Sequence, residues 1–499
     1  MTDIEKALAE LMAATERLPF SQAIHDLHGA FRELANSGYL IPRASWLNAF
    51  ELAAIAKWVY LHGHRGRANP IDWPFALNRY KDLWRATEAS ASYPDDPAVI
   101  VSFALRFVYQ QVVWNIASQK MNANFARARG IFGANCPRAH ILKSSFENAT
   151  QINFEEFLKI AHVMYGLFLQ QSTLPDHLFI GALHERLKPE AVSSALRVLS
   201  ATRRKFKKYY DTCAATAASE AVYEFNPLLR YPILFHEDHY SCVFPELINY
   251  AATRGIYFLI ADSVGADFNA AFADAFEAYV SGLCISALGH ESVVTESQER
   301  ESGWHGKTND VSVIADDFSM LIECKNSGLF SVSKRSADPS DLLADIRKNL
   351  ANADKRKGLF QLYDKIKAAR GGQLPASVQA KFAGVTRFYP VLLLHDEIWF
   401  ANRPEVLKNL IDAELERNGI AGFDYQIWHV EELELLLRAV PRQELGHVLQ
   451  EKFTNPKFRS LDLTAYLSGR YGLGDLRIHL FLPVGDSKAM RIIRPLAGC

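Results

Sequence analysis

The sequence predicts an α + α/β protein: a mostly α-helical region over 1–255, an α/β domain with a mixed sheet over 256–440, and a short C-terminal extension over 441–499. Three observations carry this. Apolar residues recur at spacings of three and four through about residue 225, as in AFELAAIAKWVYLHG (49–63) and FEEFLKIAHVMYGLFLQQ (154–171). From about Gly265 helical patterns alternate with short apolar runs bounded by turn residues. The composition is that of a globular chain, with 49% hydrophobic and 22% charged among 499 residues.

Taken in order, the helical region carries a further amphipathic stretch, SFALRFVYQQVVWNIASQKM (102–121), with Pro- and Gly-containing loops between helices. The segment 226–262 predicts a short hairpin and then a helix. His236-Glu237-Asp238-His239 is its turn, because it lacks the spacing that puts two histidines on one helical face. His62 and His64 fall in a loop, HGHRGR. DFNAAFADAFEAYVSGLCISAL is a strong helix, and NDVSVIADDFSMLIECK is a β-hairpin with Asp316 and Asp317 in the turn. KGLFQLYDKIKAAR is a helix closed by Gly371 and Gly372. RFYPVLLLHD and FDYQIWHV are strands, and EELELLLRAV is a helix. The extension predicts a helix and a second hairpin, RIHLFLPVGDSKAMRIIRPL.

Lys+Arg is 55 and Asp+Glu is 56, a net charge of −1, which excludes a polycation but not a local basic groove. The six cysteines form no CxxC pair, so neither a zinc finger nor a disulfide framework is expected, in keeping with a cytoplasmic protein. The N-terminus has no basic and apolar leader pattern, and no apolar run approaches the ~18 residues of a membrane span. No membrane partner is expected.

The chemistry concentrates in Asn309-Asp310-Val311-Ser312-Val313-Ile314 and Leu321-Ile322-Glu323-Cys324-Lys325. Side chains alternate faces along a strand, so Glu323 and Lys325 share a face while Cys324 points into the core. A register that sets Asp310 beside Glu323 brings two carboxylates and an ammonium together. Two hard carboxylates suit Mg²⁺, with Mn²⁺ able to substitute. On the preceding helix, Glu277 has Ala270, Ala273, Val280 and Cys284 as neighbours on its face. A carboxylate in such surroundings is costly unless paired or bound to metal.

Asp310 followed by Glu323-x-Lys325 resembles the PD-(D/E)XK nuclease superfamily, also called restriction-endonuclease-like, over about 265–440. Asn309 stands where the family pattern has Pro. The resemblance implies a Mg²⁺-dependent nuclease that hydrolyses phosphodiester bonds, with the 3′-oxygen leaving. Asp310 and Glu323 would hold the metal with the Cys324 carbonyl, Lys325 would position the attacking water, and Glu277 would support a second metal or its water shell. Gln361 matches a polar position on the following helix. Asp486-Ser487-Lys488 after Asp475 fits the bare pattern, but Asp486 lies in a turn signal and is set aside.

DNA is the expected substrate, and nothing in the sequence excludes RNA. Arg203, Arg204, Lys205, Lys207 and Lys208, interleaved with aromatics, could bind a phosphate backbone. So could Lys334, Arg335, Arg347, Lys348, Lys355, Arg356 and Lys357. The helical region carries no enzymatic motif; a sensing role, a protein partner or self-association fits it, and by analogy defence against foreign DNA. The alternative from another class is a non-catalytic nucleic-acid-binding or scaffold protein that keeps the nuclease fold.

Overall fold

The computed structural model describes residues 2–36, 49–63, 72–90, 101, 102, 105, 121–185, 187–214, 218–222, 224–264, 266–315, 317–326, 338–396, 398 and 401–472. The fold is mixed α/β with a largely helical N-terminal region. It begins with α1 (Asp3–Thr15), α2 (Phe20–Asn36), α3 (Ala49–His62) and α4 (Trp73–Ser90). A reciprocal capping box between Thr2 and Glu5 starts α1. Every residue of α3 from Ala49 to Leu61 is buried where the helix packs against α1, α2 and α4, and its two charges, Glu51 and Lys57, pair with Lys81 and Glu224. His62 closes α3 rather than lying in a loop.

The region continues through α5 (Met121–Phe132), α6 (Ala139–Thr150), α7 (Phe154–Phe168), α8 (Asp176–His184), α9 (Pro189–Leu199) and α10 (Arg203–Cys213). It is not purely helical. Strands β1 (Thr173–Pro175) and β2 (Ser200–Thr202) pair with the hairpin β3 (Ile233–His236) and β4 (His239–Ser241) in the order β1-β4-β3-β2. Three-residue strands are too short to show a period of two, and only the hairpin gives them partners. Glu237 and Asp238 turn that hairpin with φ of 48° and 58°, the left-handed pair of a tight turn.

Then come α11 (Glu246–Thr253), α12 (Gly255–Val264) and α13 (Ala266–Leu288). Among the described residues one segment, Asp267–Leu288 of α13, is long and apolar enough to cross a membrane. Here its apolar side chains, Phe272, Phe276, Val280 and Cys284 among them, are packed in the core. The following elements are β5 (Val293–Thr295), α14 (Glu296–Glu301), β6 (Val311–Ala315), β7 (Phe318–Lys325) and α15 (Pro339–Asp345). After a two-residue strand pair, β8 (Ala351–Asn352) and β9 (Lys357–Gly358), come α16 (Leu359–Arg370), α17 (Ala376–Phe382) and β10 (Arg387–Leu394). The chain ends its described course with α18 (Asn409–Arg417), β11 (Gln426–His429), α19 (Val430–Ala439), α20 (Arg442–Thr454) and α21 (Leu463–Tyr471).

The main sheet runs β11-β10-β7-β6-β5. The β5–β6 and β6–β7 pairs are antiparallel; β7–β10 and β10–β11 are parallel. Alternation sorts its side chains cleanly. Phe318, Met320, Ile322 and Cys324 of β7 join the cluster that holds α13, α19 and α20. Leu321 of β7, with Leu392 and Leu394 of β10, joins α15, α16 and α18 on the other face.

One apolar cluster runs from Ala128 to Leu467, across both boundaries expected from the sequence. The buried Arg127 of α5 spans the same junction, meeting Glu431 at 3.0 Å and Glu434 at 2.7 Å on α19. Most of the expected helix at 102–121, the expected hairpin after residue 473 with Asp486, and His64, Asp316, Lys334 and Arg335 lie outside the described residues.

Candidate active site

The β6–β7 register places the first carboxylate. Val311 pairs with Ile322, so the next position along sets Asp310 across from Glu323. Asp310 Oδ2 accepts the Cys324 backbone N–H at 2.6 Å, and its carbonyl accepts the Glu296 N–H at 3.0 Å. The buried Asn309 plugs the end of the strand pair. Its amide donates to the carbonyls of Val311 (2.6 Å) and Ile322 (3.3 Å), and its oxygen accepts the Ser312 hydroxyl at 3.1 Å.

Glu323 is 2% exposed and held at both oxygens. Lys325 Nζ donates to Oε1 at 2.5 Å and Gln361 Nε2 donates to Oε2 at 2.8 Å. The same Gln361 amide donates to the Thr308 carbonyl, so α16 reads both the β7 carboxylate and the approach to Asp310. Burial, reinforced by the Asp310 charge, pushes the Glu323 carboxyl up to about 8. Burial works against the Lys325 ammonium, yet Glu323 and Asp310 beside it hold its pKa above the usual lysine range. Lys325 is therefore a fixed cation.

Glu277 reaches the same place from α13. Oxygen atoms of Glu277, Glu296 and Asp310 all lie within 4.8 Å of one another. Burial, then the charges of Asp310, Glu296 and Glu323, raise the Glu277 carboxyl far above its ordinary value. Burial raises Asp310 as well, against the pull of Lys325 and the Cys324 N–H. Three carboxylates this close repel one another until a cation or protons sit among them. The donor set holds only carboxylate oxygen, which suits a hard cation such as Mg²⁺ or Mn²⁺ rather than Zn²⁺.

Glu296 was not foreseen from the sequence. It opens α14, a helix of six residues, and Thr295 and Gln298 form a capping box there. Thr295-x-x-Gln298 just ahead of Asp310 is the signal that could have found it. Arg300, one turn on, donates to Glu296 Oε1 from Nε (3.1 Å) and Nη2 (2.9 Å).

These groups line one cavity of about 290 Å³. It contains all five residues expected to be catalytic, Glu277, Asp310, Glu323, Lys325 and Gln361, together with Cys324 and Lys357. Cys324 contributes its backbone here, since its thiol belongs to the core. The structure adds Glu296, Arg300, Lys307 and Thr308. Behind the cavity, Lys365 of α16 and Glu299 of α14 form an ion pair that is 0% and 1% exposed. The Thr308 hydroxyl donates to the same Glu299 carboxylate. This pair ties α14, the segment before Asp310 and α16 together.

The basic residues divide. Arg203 donates to the Leu61 carbonyl at the end of α3, and Lys205 donates to the carbonyls of Arg197 and Ser200 at the end of α9. Both serve as helix caps rather than projecting into solvent. Burial, with Arg230 and Arg197 nearby, lowers Lys205 to about 8. Lys207 pairs with Asp211 at 2.9 Å, while Arg204 and Lys208 are exposed. In the second group, Arg347 pairs with Glu414 and Arg356 with Asp364. Lys355 is exposed, and Lys357 is the member that reaches the cavity. Comparison of the chain with protein-family models, with curated proteins and with solved structures gives no match.

Proposed function

We propose that the chain is a metal-dependent nuclease with a restriction-endonuclease-like core, hydrolysing phosphodiester bonds in DNA with Mg²⁺ or Mn²⁺. The observation that carries this is the convergence, in one cavity, of Asp310, Glu323 and Lys325 from a β-hairpin with Glu277 from the preceding helix. The mixed sheet, with a helix before the hairpin and another after it, is in keeping with that core.

Asp310, Glu277 and Glu296 would hold the cation, with Glu323 and the Cys324 carbonyl as further oxygen donors. The cation would supply Lewis acidity at the phosphate, offsetting charge that builds on its non-bridging oxygens. The chain's own groups do the rest. Glu323, fixed by Gln361 and Lys325, presents an oriented carboxylate. Lys325 holds a permanent positive charge beside the water that attacks phosphorus and stabilises the crowded phosphorane-like transition state. The water oxygen bonds to phosphorus and the P–O3′ bond breaks; the water gives one proton to solvent and the leaving 3′-oxygen takes one from solvent, so a 5′-phosphate and a 3′-hydroxyl result.

The test is cleavage of plasmid and linear DNA with Mg²⁺, with Mn²⁺ and with EDTA, beside the Glu323→Gln variant. The expected result is metal-dependent cutting that EDTA abolishes and that the variant lowers by at least about 10²-fold. Cutting that survives chelation, or a fully active variant, refutes the assignment.

A further inference from the structure

Two lysines on the cavity have no role in the scheme above. Lys307 and Lys357 both line it and are both exposed, and among the described residues neither pairs with a carboxylate. They come from different segments. Lys307 lies in the loop between α14 and β6, and Lys357 opens β9 after a tight turn.

Both positions are built rather than loose. Arg300 Nη1 donates to the carbonyls of Trp304 (3.0 Å) and Gly306 (2.9 Å), and Trp304 Nε1 donates to the Lys307 carbonyl at 3.0 Å. Gly306 packs so closely on Trp304 that a Cβ would sit 2.3 Å from the indole. The Lys307 ammonium also donates to the Lys355 carbonyl at 2.8 Å, which ties the loop to the β8–β9 turn. That turn is itself fixed. Arg356 has a φ of 48° with its guanidinium on Asp364, and Gly358 has a φ of 66° and no room for a Cβ beside the Leu350 carbonyl.

We propose that Lys307 and Lys357 form a two-point phosphate grip that holds the nucleic-acid strand beside the bond to be cut. This rests on the nuclease assignment above and names the surface by which the substrate enters. The other two cations on the cavity, Arg300 and Lys325, are already paired with Glu296 and Glu323, so neither is open to a phosphate beyond the metal cluster. Two ammonium groups held on a rigid rim supply what the metal cluster lacks: contacts to phosphates flanking the scissile one. The Lys307 ammonium, already held by the Lys355 carbonyl, loses little further entropy on binding a strand. By contrast, Arg203, Lys205 and Lys207 do not line this cavity.

The experiment measures fluorescence anisotropy of labelled DNA and RNA oligonucleotides with Mg²⁺. It uses the Glu323→Gln background, so that substrate is not consumed, at two or more salt concentrations. Lys307→Glu with Lys357→Glu should weaken binding at least about tenfold and reduce the log–log salt slope by about two. Lys307→Gln and Lys357→Gln keep a donor and should each reduce the slope by about one without moving the melting temperature. Lys143→Glu with Lys381→Glu, on two exposed lysines that do not line the cavity, makes the same change in net charge and should have a much smaller effect. If the double reversal matches that control while the parent protein binds and its active form cuts, the grip is wrong and the nuclease assignment stands. A protein that binds neither DNA nor RNA overturns both.

Discussion

Replacing Glu277 by Gln should make the metal-free protein more stable while removing its response to metal. In the folded chain the Glu277 carboxyl is raised from 4.5 to about 9 by burial and by Asp310, Glu296 and Glu323. The unfolded chain releases this proton near 4.5, whereas the folded chain keeps it until far higher pH. Stability is therefore fully present below 4.5 and is lost as pH rises towards the folded value. Over the interval from 4.5 to 8, at ~1.4 kcal/mol per unit, the ceiling on that loss is about 5 kcal/mol. Partial exposure of the side chain brings the expected figure to about 2 kcal/mol. Glutamine does not titrate, so Glu277→Gln should melt a few degrees above the wild type in EDTA at pH 8, and level with it at pH 4.5. Saturating Mg²⁺ should reverse the order at pH 8. At a hundred times its Kd a ligand stabilises by ~2.7 kcal/mol, and the variant has lost one of its three clustered carboxylates. The assay is thermal unfolding at several pH values with EDTA or Mg²⁺. A variant that melts below the wild type in EDTA at pH 8, or a wild type indifferent to Mg²⁺, refutes the reasoning.

Lys365→Met should destabilise the fold by about 3–5 kcal/mol, because it strands the Glu299 charge in a fully buried position. Denaturant unfolding checks this, and adding Glu299→Leu should recover much of the loss; no recovery would mean the pair is not the cause. Arg300→Ala should lower Mn²⁺ affinity several-fold and make 302–307 easier to cleave by protease, since Arg300 restrains both Glu296 and that loop. An unchanged Mn²⁺ titration together with an unchanged digestion pattern would remove Arg300 from its positioning role.

The site was legible wherever its residues follow a local period. Asp310, Glu323 and Lys325 lie in a hairpin whose alternation assigns each side chain a face, and the structure keeps those faces. Glu277 was legible through its neighbours, because a carboxylate on an apolar helical surface calls for a partner. Gln361 was placed by its helix and meets Glu323. Glu296 was hidden in a helix of six residues, too short for any periodic signal, and joins the site through the pairing of β5 with β6, which sets its backbone N–H on the Asp310 carbonyl.

By itself, then, the sequence determined the helical and α/β character of the two halves, the hairpin, and the faces of its charged residues. Each of these is encoded by spacings of two, three or four along the chain. What only the tertiary structure decided is whatever depends on segments distant in sequence. The carbonyls of Leu61, Arg197 and Ser200 turn Arg203 and Lys205 from apparent phosphate binders into caps. The hairpin β3–β4 makes strands of Thr173–Pro175 and Ser200–Thr202. A single apolar cluster joins helices from both sides of residue 255. The physical reason is one of range: a period reports which face of an element avoids water, and which other element covers that face is settled only when the chain packs.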